Sequence, residues 1–251
     1  YLTNDVGNWF REQVEAHPEA KWRIALVHKN IFSGSGHQED EETPLFRATM
    51  LPIIRDCQID VMLQGHDHCY EVIGPVDANT CTPILDAVKD VETVPVNMVN
   101  NMTGKKGGTF IVDDGALYFI GATCGAKRYN PNHKLTMEAD IDKHKVENYY
   151  DLFTGMLGQP GRPSYSTFTV DDNTITVNSY KVYAGIEPML FNTFYIKRTK
   201  EHGANISLGK IIEQRGAAKI VYNGNMYILR EDIAYNALGQ VVAEEDILSK
   251  L

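Results

Sequence analysis

Apolar positions at spacings of three and four open the chain. Val6, Trp9, Phe10 and Val14 share one face between Thr3 and about His17, with Asn4 or Asp5 as an N-cap and Pro18 as a stop. The pattern predicts an amphipathic helix. The short apolar run WRIALVH, ending at His28, predicts a strand buried on both faces. A polar, glycine-containing loop follows, KNIFSGSGHQEDEE. In TPLFRATMLPIIRDC, residues 43–57, Leu45, Phe46, Thr49, Ile53 and Ile54 fall mostly on one helical face. Thr43 stands as its cap, Pro44 lies in the first turn, and Pro52 predicts a kink or break. IDVML then predicts a second buried strand, ending at Gln64-Gly65.

Strand, helix, strand with a right-handed crossover makes the two strands parallel, so their carboxyl ends lie at one edge of the sheet. His28 leaves one end and the GHDH run, Gly65 to His68, leaves the other. The topology therefore brings His28, His66 and His68 to one rim, where open α/β sheets place ligands. In an extended segment His66 and His68 share a face and Asp67 points opposite. Neutral imidazoles so arranged can grip one metal ion or serve two adjacent ones.

Further along, residues 77–108 read as a long excursion rich in Asn, Thr, Lys and Gly. Two hairpins are predicted, TFIV with ALYFIGA around Asp113-Asp114-Gly115, and STFTV with TITVNSYKVY around Asp171-Asp172-Asn173. A weak helical pattern runs from Glu138 to Phe153. After a linker-like TKEHGAN, residues 205–251 predict a small β-rich appendage of short strands and Asn-Gly turns. The domain reading is thus 1–200 and 205–251.

Composition narrows the function classes. The 251 residues are 43% hydrophobic and 23% charged, enough for a sizeable core, and the net charge of −9 argues against a partner such as nucleic acid. No apolar run approaches the roughly 20 residues of a membrane span. Cys57, Cys69, Cys81 and Cys124 form no C-x-x-C pair and leave the redox compartment open. The chain opens at Tyr1 without an initiator Met, as expected of a processed product or a fragment.

WRIALVHKNIF, GHQEDEE and IDVMLQGHDHCYE together resemble the C-terminal half of a calcineurin-like metallophosphoesterase catalytic domain, most closely the purple acid phosphatase-like branch. The likeness extends more loosely over about residues 1–200. It implies an α/β fold, part of a four-layer αββα sandwich, and metal-dependent hydrolysis of a small phosphoester substrate. It also implies two divalent or trivalent metal ions (Fe, Zn or Mn). By motif, His28, His66 and His68 resemble metal ligands, and His37 matches a histidine that contacts phosphate or protonates the leaving oxygen. Asp67, Tyr70 and Glu71 read as packing groups or as groups that orient the ligands.

The family's upstream ligand motifs, including the carboxylate that bridges the metals, have no counterpart here. Two dications about 4 Å apart repel by about 17 kcal/mol at an effective dielectric of 20, which three neutral histidines do not offset. The expectation is that an N-terminal segment of the same fold completes the site and that this chain alone is inactive. The alternative is a non-catalytic or degenerate β-rich binding or surface module without a complete metal site. The β tail resembles those of secreted bacterial enzymes and suggests a periplasmic or secreted location.

Overall fold

The opening period of three to four folds as predicted. In the computed structural model it forms α1 (Asn4–Ala16), whose Phe10 and Val14 pack against the core. The structure describes residues 4–96, 101–132 and 149–202, and the strand residues 217–222, 225–230, 233–236 and 241–242. The chain divides into two units, Tyr1–His202 and Gly203–Leu251.

In the first unit the next elements are β1 (Ile24–Leu26), α2 (Glu42–Asp56) and β2 (Val61–Gln64). Then follow β3 (Tyr70–Asp77), β4 (Thr82–Pro83), β5 (Val88–Lys89), β6 (Glu92–Thr93), β7 (Lys105–Lys106) and β8 (Thr109–Ile111). The last are β9 (Ala116–Gly121), β10 (Leu157–Gly158), β11 (Ser164–Val170), β12 (Thr174–Tyr183) and β13 (Ile186–Lys197). One sheet runs β1-β2-β9-β3-β10 with β4 on β3, a second runs β11-β12-β13-β8-β5, and β6 and β7 make a ribbon.

Successive strand residues point to opposite faces, and that sorts the core into two layers. Met50, Leu51, Ile53 and Ile54 of α2 pack with Ala25, Met62, Ile73 and Tyr118 on one face of the first sheet. Val61, Tyr70, Val72, Leu117 and Phe119 on the other face meet Phe110, Ile175, Val177, Phe194 and Ile196 of the second sheet. Both faces of β2, β9 and β3 are therefore apolar, which is why these strands read as unbroken hydrophobic runs. A polar contact also joins the sheets: the buried Tyr70 hydroxyl lies 2.9 Å from Ser179 Oγ and accepts from Asn192 Nδ2 at 3.0 Å. Helices, sheet and sheet give a mixed α/β architecture. Among the described residues no α-helix besides α1 and α2 is present, so three layers of the expected four are formed.

Four expectations are corrected. The first strand is three residues long and buried on one side only, because the second sheet does not reach over it. Ala25 is in the core while Ile24 and Leu26 are 42% and 80% exposed. Pro52 lies inside α2 without ending it. The buried neighbours Leu51, Ile53 and Ile54 hold the last turn on the sheet, so packing outweighs the missing hydrogen bond. The buried face of α2 is set by Thr43, Arg47, Met50, Leu51, Ile53 and Ile54, and Leu45 is exposed.

The fourth correction concerns Asp113-Asp114-Gly115, which does not turn a hairpin. β8 pairs in parallel with β13, whereas β9 pairs with β2 and β3, so the chain crosses from one sheet to the other. Asp113 Oδ1 accepts from the main-chain N–H groups of Thr199 at 2.8 Å and Lys200 at 3.2 Å, tying the crossing to the end of β13. The hairpin of β11 and β12 forms as expected, with Val170 opposite Ile175. Of the weak helical pattern, residues 138–148 lie outside the described residues, and Tyr149–Leu152 is a short 3₁₀ helix.

The second unit contains an antiparallel meander, β14 (Ala217–Tyr222), β15 (Asn225–Arg230), β16 (Ile233–Asn236) and β17 (Val241–Val242).

Candidate metal centre

β1 and β2 are parallel, with Ile24 beside Val61 and Leu26 beside Leu63, so they end together. The pairing continues past the strands: Val27 N–H donates to Leu63 O at 2.9 Å and Gly65 N–H donates to His28 O at 3.1 Å. Gly65 suits this approach, since a Cβ there would lie 3.2 Å from His28 O. At Gly65 the chain turns, and His66 takes φ of +69°, the left-handed region that a non-glycine residue rarely occupies. Its ring is thereby brought beside that of His28, with Nδ1 3.3 Å from His28 Nε2 and ring centroids 5.2 Å apart.

The loop after β1 is held from below by buried polar side chains. Gln64, at the end of β2, accepts from Ile31 N–H at 2.5 Å and donates to Phe32 O at 3.0 Å. Ser33 Oγ donates to Asp67 and lies 3.0 Å from Glu71 Oε1, while Gly34 N–H donates to Glu71 Oε2 at 2.9 Å. Tyr149 Oη lies 2.6 Å from Ser33 O and 2.7 Å from Gln38 Oε1. Gly34 permits this seat, because a Cβ there would fall 2.4 Å from Leu157 Cδ1. The loop then forms the short 3₁₀ helix Gly36–Glu39, which carries His37 and leads into Asp40.

Those two residues complete a cluster. Asp40 Oδ2 lies 2.9 Å from His37 Nδ1 and 3.6 Å from His66 Nε2, and the His37 and His66 rings are 3.9 Å apart. Donor atoms of His37, Asp40 and His66 all lie within 4.8 Å of one another. His66 thus faces His28 with one nitrogen and Asp40 with the other.

Electrostatics favour an uncharged His66. Burial holds its pKa below the ordinary imidazole value, helped by the neighbouring basic side chains of His37, Lys29 and His28. A neutral imidazole is the form that binds a metal. Beneath the cluster, burial and then the charge of Asp67 push the Glu71 carboxyl up to about 8. Burial likewise raises Asp67, opposed by its hydrogen bond from Ser33. One oxygen of Asp67, Oδ1, is buried without a hydrogen-bond partner among the described residues.

The structure brings three of the four sequence-predicted residues into direct contact. His28 and His66 meet, and His37 joins His66 through Asp40. His68 lies across Tyr129 from His37, with Nδ1 3.0 Å from Lys127 O and its ring 5.0 Å from that of Tyr129, which is 5.3 Å from the His37 ring. Asp40 was not anticipated. It sits three residues after His37 in the acidic run EDEE, which looks like a solvated surface, and the i, i+3 spacing on a tight turn was the available signal. Two imidazoles and a carboxylate are a donor set that suits a borderline divalent ion. Among the described residues these donors fit one ion; a second ion would need carboxylates besides Asp40.

No family model matches the chain. Over 60 residues, 24% of this chain and 16% of the relative, it is 38% identical to purple acid phosphatase 3 of Arabidopsis thaliana. The chain carries a purple acid phosphatase-like segment. Over 55 residues it is also 36% identical to purple acid phosphatase 4 of the same plant, covering 22% of this chain and 15% of that protein. This places it in relation to the purple acid phosphatase-like branch of the calcineurin-like metallophosphoesterases. A solved purple acid phosphatase from yellow lupin (Lupinus luteus) seeds aligns with 76% of this chain and 27% of its own, at 17% identity and a TM-score of 0.46. The matches span under a third of the length of each of these purple acid phosphatases. Among the described residues no helix is long and apolar enough to cross a membrane.

Proposed function

We propose that this purple acid phosphatase-like chain is part of a metal-dependent phosphoester hydrolase. In this reading His28, His66 and His68 are metal ligands and His37 assists the phosphate or the leaving oxygen. Carboxylate ligands come from residues outside this sequence. The observation that carries the reading is the meeting of His28 and His66 at 3.3 Å, at the ends of two neighbouring parallel strands, in a chain with purple acid phosphatase relatives.

Metal ions (Fe, Zn or Mn) bound at such a rim polarise phosphoryl oxygens and lower the pKa of a water to about 7. The protein's own part is to present imidazoles on fixed strand ends. The half-buried His37 side chain, with Asp40 at 2.9 Å, can hold a proton within reach of a bound ester. The uncovered face and outer edge of β1 fit the idea that further residues of the same fold complete the sheet. An extracytoplasmic location belongs to the same proposal.

The test is hydrolysis by the complete gene product, purified with its metal, of p-nitrophenyl phosphate, a diester and nucleotides. Turnover of at least one, lost in H66A and H68A and reduced in H37A, is expected. A metal-loaded, folded product that turns over none of them overturns the proposal and favours a binding module.

A further inference from the structure

We propose that Lys127, on the loop that follows β9, binds a second anionic group of the substrate, so that the site prefers phosphomonoesters carrying a carboxylate or a further phosphate one six-membered ring away from the ester. This subsite rests on the phosphoesterase reading and adds a substrate class to it. It lies beside His28, His37, His66 and His68 and changes none of their roles.

The loop is built into the histidine rim. β9 runs parallel to its neighbour β2, so residues 122–132 leave the sheet at the same edge as His66. From there the loop is fastened on both sides. Asn132 N–H donates to Gly34 O at 2.8 Å and Ser35 Oγ donates to Asn130 O at 3.2 Å, while Gln159 Nε2 donates to Tyr129 O at 2.5 Å and to His68 O at 2.9 Å. Tyr129 is thereby set between two histidines, its ring 5.3 Å from that of His37 and 5.0 Å from that of His68. Lys127 Nζ lies 5.0 Å from the centre of the same ring. The ammonium is thus one aromatic ring away from both imidazoles.

That charge stands where a second anion needs it. The chain carries 33 acidic residues against 24 Lys and Arg, and Asp40 adds a carboxylate to the cluster, so the protein as a whole repels a multiply charged ester. A cation at the rim reverses this locally, within the Debye length of about 8–10 Å. Lys29, also near the rim, is taken by Glu42. Among the described residues Lys127 has no carboxylate at ion-pair distance, and it is exposed. The face of Tyr129 holds its ammonium in place by a cation–π contact. A cation so held and left without a counter-ion can pair with an incoming carboxylate or phosphate. The intervening ring sets the spacing: an ester seated at His37 and His68 reaches Lys127 across a leaving group the size of one six-membered ring.

The experiment compares para-carboxyphenyl phosphate with its near-isosteric neutral amide, para-carbamoylphenyl phosphate, as substrates of the complete, metal-loaded gene product. The wild type should favour the carboxylate in kcat/KM, chiefly through KM, and Lys127→Gln should lower that preference about fivefold, the worth of an exposed ion pair. Lys127→Arg should keep it. So should Lys21→Gln, which removes a cation from the segment before β1, at the opposite edge of the sheet. The contact of Lys127 with His68 is made by the main-chain carbonyl, so it survives these changes, and circular dichroism establishes folding. A preference unchanged in folded Lys127→Gln, or lowered equally by Lys21→Gln, overturns the subsite and leaves the phosphoesterase reading standing. If the gene product turns over no phosphoester, that reading falls, and calorimetry with para-phosphonobenzoate and its amide decides the subsite alone. Tighter binding of the carboxylate, lost in Lys127→Gln, supports it; equal or absent binding overturns it.

Discussion

Replacing Glu71 with Gln should leave stability nearly unchanged at pH 5 and raise it at pH 8. Glu71 is fully buried, accepts from Gly34 N–H at 2.9 Å, and has its carboxyl raised from 4.5 to about 8 by burial and by the neighbouring Asp67. Below about pH 4.5 the folded and unfolded chains both carry the proton, and its contribution to stability is fully present. Between 4.5 and 8 only the folded chain retains it, so each pH unit lowers stability by about 1.4 kcal/mol. Above 8 both states ionise and the loss levels off. The whole window, 8 − 4.5 = 3.5 pH units, corresponds to about 5 kcal/mol.

Gln has no such proton. Its amide matches the protonated carboxyl, with the carbonyl oxygen accepting from Gly34 N–H and the NH2 group taking the hydroxyl's place beside Ser33 Oγ, so the variant stays within about 1 kcal/mol of the wild type at pH 5. From pH 5 to pH 8 the wild type loses about 4 kcal/mol that the variant keeps. The variant is then about as stable as the wild type at pH 5 and the more stable protein at pH 8. Urea unfolding at each pH unit measures this directly, and titration of groups common to both proteins cancels in the difference. A wild-type-minus-variant difference constant to within about 1 kcal/mol across pH 5–8 would refute a neutral, buried Glu71.

Two further perturbations test the frame around the site. Asp60→Ala should cost about 3–5 kcal/mol in urea unfolding, because Asp60 accepts from Arg23 N–H at 2.7 Å and pairs with the buried Arg198 and with His202 Nε2 at 3.1 Å, leaving buried cationic charge uncompensated. Gly34→Ala should cost about 1–3 kcal/mol, since the new Cβ would sit 2.4 Å from Leu157 Cδ1, and combining it with Leu157→Ala should give a total smaller than the sum of the single changes.

The parts legible in the sequence are those set by local period and chain topology. Val6 to Val14 gave a helix, and strand, helix, strand required parallel strands with His28 and His66 at one end; both follow from neighbours in sequence. What escaped was decided at long range. Asp113-Asp114-Gly115 is a sound local turn signal, yet Thr199 and Lys200, 86 and 87 residues away, take its carboxylate and the chain crosses between sheets. Asp40 escaped for a similar reason. Nothing in EDEE distinguishes one carboxylate, and its place is fixed by loop contacts from Gln64, Glu71 and Tyr149 that no periodicity encodes.

The two halves of the cluster are therefore fastened by different physics. His28 and His66 are placed by main-chain pairing at the ends of β1 and β2, which side-chain substitutions leave largely intact. His37 and Asp40 ride on a loop whose position rests on buried side-chain hydrogen bonds from Gln64, Asp67, Glu71 and Tyr149. A buried polar network holds a unique geometry only when it is satisfied, and one lost partner leaves the rest desolvated without compensation. Loss of a member such as Glu71 should move His37 and Asp40 away from His66 and leave the His28–His66 contact in place. The sequence distance between the two carboxylates, Asp67 and Glu71, supports the same division. They lie on the segment that carries His66 and His68, so the strand that presents one imidazole also grips the loop that presents the other. Coupling the loop to the strand in this way confines the mutual placement of His37 and His66 to one arrangement, which is what a coordinating site requires of its scaffold.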